Sequence, residues 1–254
     1  MTTRQNGSLY TQIQNKIATI EFGHPASNSF PSELLERLRK ELISVGQNED
    51  VAVIVLKSEG DRAFCAGASF DELVAISNLE EGKQFFSGFA NVINAMRTCG
   101  KLIIGRIQGK TVGGGVGLAA ACDYVLATEH AAVKLSEFTI GIGPFVIEPA
   151  VTRKIGVAGT SELTLDATSW KNAYWAKDKG LYAKVFETQK ELDEEVALLS
   201  EKLASYNPDA LSEMKKALWK GTENWNSLLA ERAAVSGELV LSDFTKKALE
   251  KFKK

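Results

Sequence analysis

Gly109-Lys110-Thr111-Val112-Gly113-Gly114-Gly115-Val116-Gly117 follows the apolar run Leu102–Ile107 and leads into the small-residue stretch 118–122. Apolar strand, glycine turn and helix start, in that order, gather free peptide N–H groups at one point, because the first turn of a helix has no intrahelical acceptors. Glycine there also lets a bound group come close to the backbone. A second stretch of this kind stands upstream, Asp61-Arg62-Ala63-Phe64-Cys65-Ala66-Gly67-Ala68-Ser69-Phe70. Brought together, two such turns can hold an anionic oxygen between two N–H donors.

Outward from these turns the chain alternates strands and helices, an α/β pattern. Residues 17–22 and 51–56 are β-branched runs, and Leu34, Leu35, Leu38 and Leu42 recur between them at helical spacing, with Pro31 near the start and Gly46 at the end. Residues 71–99 read as helical, with Gly82 and Gly88 marking breaks or close packing. Residues 102–107 and 124–128 read as further strands, with a short helical segment at 117–122 between them. From Lys190 the pattern becomes charged helix, with Leu198, Leu203, Leu211, Met214 and Leu218 as an inward stripe and Pro208 punctuating it. The chain therefore divides into a core, 1–189, and a helical module, 190–254.

With 30 Lys+Arg against 32 Asp+Glu in 254 residues, the net charge of −2 gives no electrostatic case for nucleic acid or an anionic membrane surface. No apolar stretch is long enough for a membrane span and the first residues have no signal-peptide core, so a cytoplasmic protein is expected. Cys65, Cys99 and Cys122 lack CxxC spacing and read as buried apolar residues, with no metal site expected. Only two histidines are present, His24 in a loop before Pro25 and His130 at a strand end, which weakens any Ser-His-Asp reading.

Two nucleotide motifs are imitated here. Gly105 to Thr111 resembles a phosphate-binding loop but has three residues between its glycines where that motif needs four. Gly115-Val116-Gly117-Leu118-Ala119-Ala120 satisfies the GxGxxA pattern, and Glu137 lies 20 residues beyond Gly117. Asp123 follows only six positions after Gly117, too soon for the crossover helix of a dinucleotide fold. A nicotinamide-dependent oxidoreductase is thus the least favoured reading.

The segments FCAGAS (64–69), GKTVGGGVGLAAACDY (109–124), SEFTIGIGPF (136–145) and the step from Trp175 through Gly180-Leu181 to Val185 stand in an order that resembles the crotonase superfamily, the enoyl-CoA hydratases and isomerases. The resemblance runs from about Ile17 to Asp243. It implies a β-β-α spiral core with a C-terminal helical trimerisation module, hence trimers or dimers of trimers, acting on an acyl-CoA thioester. Coenzyme A would enter as part of the substrate, with no separate cofactor.

Carried over residue by residue, the resemblance puts the oxyanion donors at the Ala68 and Gly114 N–H groups. It puts coenzyme A contacts at the backbone of Ala66 and Ala68, with Arg62 beside them and Lys251, Lys253 and Lys254 at the chain end as phosphate candidates. Of the two glutamates of family hydratases, one matches Glu137, whose neighbours Phe138, Ile140 and Phe145 are expected to raise its pKa. The other falls on Gly117, which can neither give nor take a proton. Hydration needs an oriented water, which two carboxylates supply readily, whereas a double-bond shift needs one base. Both reactions stay open, with Glu148, Asp71 and Glu72 as candidates for a second acid, a branched acyl group such as methylglutaconyl as a possible substrate, and a non-catalytic acyl-CoA binder as the alternative.

Overall fold

The computed structural model describes residues 6–251. The chain opens with an antiparallel hairpin, β1 (Ser8–Gln14) and β2 (Ile17–Gly23), followed by α1 (Ser32–Gln47). Three strand pairs come next: β3 (Val53–Ser58) with β4 (Ala63–Cys65), leading to α2 (Phe70–Ala75) and α3 (Leu79–Thr98); β5 (Leu102–Ile107) with β6 (Lys110–Val112), leading to α4 (Gly114–Ala121); and β7 (Tyr124–Thr128) with β8 (Val133–Lys134). A short 3-10 turn, Glu137–Ile140, ends the third pair. The remainder is α5 (Glu148–Leu165), α6 (Ala173–Asp178), β9 (Lys184–Phe186), α7 (Gln189–Ala204), α8 (Pro208–Leu218), α9 (Trp225–Leu239) and α10 (Asp243–Glu250).

The first strand of each pair joins a six-stranded sheet of order β1-β2-β3-β5-β7-β9, and the second joins a three-stranded sheet of order β4-β6-β8. Each β-β-α unit therefore advances both sheets by one strand, which is the expected spiral. All pairings between these strands after the first hairpin are parallel, with one isolated antiparallel bridge from Val133 of β8 to Lys171. The central strands are buried on both faces, and β3 reads as the continuous apolar run that such burial requires.

Leu34, Leu35, Leu38 and Leu42 of α1 are buried as the spacing predicts. Pro31 offers α1 no side-chain cap, and Glu72 supplies one from α2, accepting from Ser32 N at 2.9 Å and Ser32 Oγ at 2.6 Å. Gly82 and Gly88 do not break α3, which runs through both. They are close-packing sites: a Cβ on Gly82 would stand 2.9 Å from Gly237 Cα, and one on Gly88 2.7 Å from Leu35 Cδ1. The actual interruption is at 76–78, where the Asn78 side chain accepts from Glu81 N at 3.0 Å and starts α3 afresh. All three cysteines are buried and His130 is exposed, as expected.

The stripe expected after Lys190 is corrected. Leu198, Met214 and Leu218 are 46%, 53% and 46% exposed, whereas Leu203 and Leu211 are half-buried and only Leu203 packs inward as expected. The buried apolar positions of α7 are Leu192 and Val196, which pack with Leu203 against Val53, Val55, Ile104 and Leu126 of the large sheet. In α8 the buried position is Lys215, drawn inward by Asp123, whose carboxylate also accepts from Trp219 Nε1 and Ile103 N, all at 2.7 Å. Removing one partner would strand a buried charge at a cost of about 3–5 kcal/mol. Trp225, Leu229 and Ala233 of α9 lie in the same apolar cluster as Phe22, Leu34 and Ile93, so the described residues before and after 190 share one core.

Candidate active site

Because β4, β6 and β8 are adjacent and parallel, their C-terminal ends lie side by side, and ligands in such sheets gather at the carboxyl ends of the strands. From the three ends issue Ala66–Ala68, Gly113–Gly114 and Ser136–Glu137. The spiral thus brings together residues some 70 positions apart in sequence, from Gly67 to Glu137.

The first turn is templated by Phe30, which forms a parallel bridge with Ala68: Phe30 N donates to Gly67 O at 2.8 Å and Ser69 N donates to Phe30 O at 2.9 Å. In such a bridge the peptides flanking the partner residue carry the hydrogen bonds, so Ala68's own N–H and C=O point away from Phe30. Gly67, at φ +91°, makes the turn, and a Cβ placed on it would stand 3.7 Å from Gly114 N. The two turns are therefore neighbours. Gly113, at φ +53°, donates its N–H to Lys134 O at 3.0 Å, and Gly114 opens α4 with an N–H that has no intrahelical acceptor. Among the described residues, neither the Ala68 nor the Gly114 N–H is taken by another backbone group.

Glycine at 114 and 115 is a steric requirement. A Cβ on Gly114 would meet the Phe89 ring at 2.3 Å, and one on Gly115 would meet Cys65 Cβ at 2.7 Å. The GxGxxA glycines, Gly115 and Gly117, are thus used for packing against Cys65 of β4 and Ile147 at the N-cap of α5, which weighs against the dinucleotide reading of this motif.

Glu137 opens the 3-10 turn that Gly141 closes in the left-handed conformation, φ +82°. Its carboxylate lies over Gly113, with Oε1 3.0 Å from where a Cβ on that glycine would be. The residue is half-buried overall, but Oε2 is sealed from solvent and has no hydrogen-bond partner. Desolvation pushes the pKa up to about 7. The direction agrees with expectation, although Phe138 is not the cause, since it turns outward and is 44% exposed.

These groups line a cavity of about 400 Å³ whose other walls are mainly apolar: Leu73, Phe85, Phe86, Phe89, Ile142 and Ile147. Among the described residues Glu137 is its single titratable lining residue, and Ser136, Thr139 and Ser236 are its only other polar side chains. Phe89 and Ile147 were not anticipated. The aromatic face Phe85-Phe86-Phe89 of α3 is a signal in the sequence, but nothing there says what it faces.

Ala66 and Ala68 line the cavity. Ala66 N–H is committed to Ser27 O at 3.1 Å, while the carbonyls of both alanines accept no backbone hydrogen bond among the described residues. Arg62 is exposed and lies outside the lining, and Lys251 is an exposed residue at the end of α10. Lys253 and Lys254 lie outside the described residues.

None of the alternative acids reaches the cavity. Glu72 caps α1, Glu148 accepts from Thr152 Oγ1 at 2.6 Å with Arg232 Nη2 at 3.9 Å, and Asp71 is exposed. At Gly117 a Cβ would stand 2.4 Å from Ile147 Cγ2, so that position is closed even to alanine while Ile147 stays in place. Among the described residues no three His, Cys, Asp or Glu side chains gather as a metal site, and no helix is long and apolar enough to cross a membrane.

Residues 12–253 match the model of the enoyl-CoA hydratase/isomerase family. A peroxisomal Δ(3,5)-Δ(2,4)-dienoyl-CoA isomerase of Arabidopsis thaliana is 30% identical over 211 residues, 77% of this chain and 74% of that protein. A probable enoyl-CoA hydratase of Bacillus subtilis is 28% identical over 94% of this chain and 93% of its own. In structure, the enoyl-CoA hydratase from Bacillus halodurans superposes with a TM-score of 0.88 at 23% identity, covering 96% of this chain and 99% of the other. With its spiral fold matched end to end and its sequence matched over nearly all its length, this chain belongs to the enoyl-CoA hydratase/isomerase family and is an enzyme of the crotonase superfamily.

Proposed function

We propose that the enzyme shifts a carbon–carbon double bond along an acyl-CoA thioester, with Glu137 as its only acid/base. The observation that carries this reading is the single carboxylate of the cavity, together with the closure of the Gly117 position by Ile147. Ala68 and Gly114 N–H groups would receive the thioester oxygen. Starting from a 3-enoyl thioester, Glu137 takes a proton from C2, the electron pair spreads through a dienolate whose oxygen the two N–H groups stabilise, and the same proton is returned at C4. One C–H bond breaks and one forms, the double bond moves from C3–C4 to C2–C3, and no water is consumed.

The carbonyls of Ala66 and Ala68 suit the adenine amino group of coenzyme A, with Arg62 outside the pocket for a phosphate. Because the lining holds no cation and one carboxylate, the reading favours an uncharged acyl group over a dicarboxylic one such as methylglutaconyl. Family membership also supports a trimer or dimer of trimers, for which the exposed Leu198, Met214 and Leu218 offer apolar surface, and the balanced charge with no apolar segment long enough for a membrane span fits a cytoplasmic setting. Sedimentation at several concentrations tests the assembly.

The experiment that tests the reaction uses purified protein with short, branched and long 2-enoyl and 3-enoyl thioesters, following loss or gain of conjugation and product mass together. Isomerisation changes conjugation at constant mass. A gain of one water would replace it with hydration. Tight acyl-CoA binding without turnover of any thioester would leave a non-catalytic binder, and a titration with nicotinamide dinucleotide checks the oxidoreductase alternative.

A further inference from the structure

We infer that Asn28 is a positioning residue for the reaction: its side-chain amide holds the segment that sets the direction of the Ala68 N–H. The inference rests on the proposed role of that N–H. Asn28 is 7% exposed and does not line the cavity. Its Nδ2 donates to Glu59 O and to Ala63 O, both at 2.8 Å, and its Oδ1 accepts from His24 N at 3.0 Å. Both donors and the acceptor are thus spent on backbone, and they join the loop after β2 to the two ends of the β3–β4 connection.

The bonds matter because of what stands next to Asn28. Ser27 O accepts Ala66 N–H at 3.1 Å, and Phe30 pairs with Gly67 and Ser69. Segment 27–30 is therefore the template along which residues 66–69 are laid, and Asn28 fastens that template at the entry of β4. Ser27 and Asn28 both take left-handed backbone angles, φ +55° and +57°, a conformation that non-glycine residues hold only where their surroundings fix it. Gln108 Nε2 also reaches Ala63 O, at 3.2 Å, but it approaches from the end of β5 and its amide bonds to Ser58 Oγ and Ala63 O, both outside 27–30. The Asn28 amide thus ties the template directly to Ala63, the first residue of the strand that the turn leaves. A small displacement there would rotate the Ala68 peptide away from the thioester oxygen while leaving the apolar cavity intact.

Asn28→Gly isolates the amide, since glycine keeps the positive φ at no steric cost. Asn28→Asp keeps the shape but replaces both donors by a carboxylate. Thr188→Ala, which removes the N-cap of α7 on the far side of the large sheet, serves as a control for general loosening. The readouts are kcat and KM on the best enoyl thioester, and the red shift that a chromophoric arylacryloyl-CoA undergoes when its carbonyl is polarised in the site. Both Asn28 variants should lose about 10-fold or more in kcat with KM within a few-fold, and should show less than about half the wild-type red shift at saturation. Thr188→Ala should keep kcat and the full shift at a lowered melting temperature. Wild-type kcat and red shift in Asn28→Gly would overturn the inference and leave the oxyanion reading standing, and an equal loss in Thr188→Ala would reduce Asn28 to a stabilising residue. No red shift in the wild-type protein would instead remove the Ala68–Gly114 pair, and the inference with it.

Discussion

Gly113 and Gly117 stand one helical turn apart at the start of α4, and what faces each is different. Above Gly113 lies the Glu137 carboxylate, with Oε2 sealed and unpartnered; against Gly117 lies the Ile147 side chain. One end of the turn carries a group that can move a proton, and the other is filled with hydrocarbon. On the proposed reading such a cavity passes a proton between two carbons of a bound chain, and among the described residues it has no second carboxylate to hold a water. The difference also shows why a glycine in a motif is not interchangeable with its neighbours: Gly113 leaves room for a functional group, whereas Gly117 leaves room for packing.

The largest effect that can break this comparison is removal of its reactive half. Glu137→Gln keeps the shape and takes away the proton acceptor, so turnover should fall by about 10²- to 10⁴-fold with acyl-CoA binding within a few-fold. Steady-state rates alongside calorimetric titration separate the two, and wild-type turnover in this variant would move the chemistry elsewhere. In D₂O the wild-type product should retain some substrate hydrogen at the new position, because a sealed carboxylate returns its proton before solvent exchanges it.

Gly114 is the next position to test. A Cβ there meets the Phe89 ring at 2.3 Å, so Gly114→Val would disturb α3 as well as the N–H, and Gly114→Ala is the cleaner change. Turnover should drop by about 10²-fold, with about 1–3 kcal/mol of stability lost to overpacking. The same kinetics in Phe89→Leu/Gly114→Ala, with stability regained, would assign the rate loss to the N–H and the stability loss to the ring.

Much of this comparison was legible in the sequence. The glycine turns, the strands at 102–107 and 124–128 and the spacing of the α1 leucines announced themselves because glycine and hydrophobic period are local signals. The three strands that position the site were not, since β4, β6 and β8 are only three, three and two residues long, shorter than any periodicity can register. The family resemblance implied the spiral that those strands build. Ile147 against Gly117 and Glu72 against Ser32 are contacts between distant segments, and no pattern along the chain encodes them. The exposed Leu198, Met214 and Leu218 show the reverse failure: helical periodicity identifies an apolar face without saying whether the same chain covers it.

The raised pKa of Glu137 makes two pH dependences from one cause. The base must be ionised, so kcat/KM should fall about tenfold per pH unit as pH drops below about 7. For stability the sign is opposite. The folded carboxyl holds its proton up to about 7, whereas an unfolded glutamate loses it near 4.5. Its favourable contribution is therefore complete below the unfolded value and is lost as pH rises toward the folded one, at about 1.4 kcal/mol per unit. Glu137→Gln should accordingly be more stable than wild type above pH 7, and the gap should close toward pH 4.5. Denaturant melts across that range check it, and a constant gap would mean that the carboxyl is not buried as a charge.

The smallest and sharpest test would try to convert the inert half into the reactive one. Gly117→Glu alone should fail to place an acid, because its Cβ would overlap Ile147 Cγ2, and the overpacking should cost about 1–3 kcal/mol. Gly117→Glu with Ile147→Ala removes the obstructing carbons and opens space beside the new carboxylate, where a water can be held opposite Glu137. The double variant should keep part of the proposed isomerase turnover and gain a slow addition of water, seen as product heavier by one water and absent from either single variant. Hydration that appears would show that the missing acid and the isoleucine over Gly117 together decide between the two reactions. If the double variant folds and binds acyl-CoA but never adds water, the chemistry is set by something other than the contrast between Gly113 and Gly117, and the geometry of the Ala68 N–H becomes the next place to look.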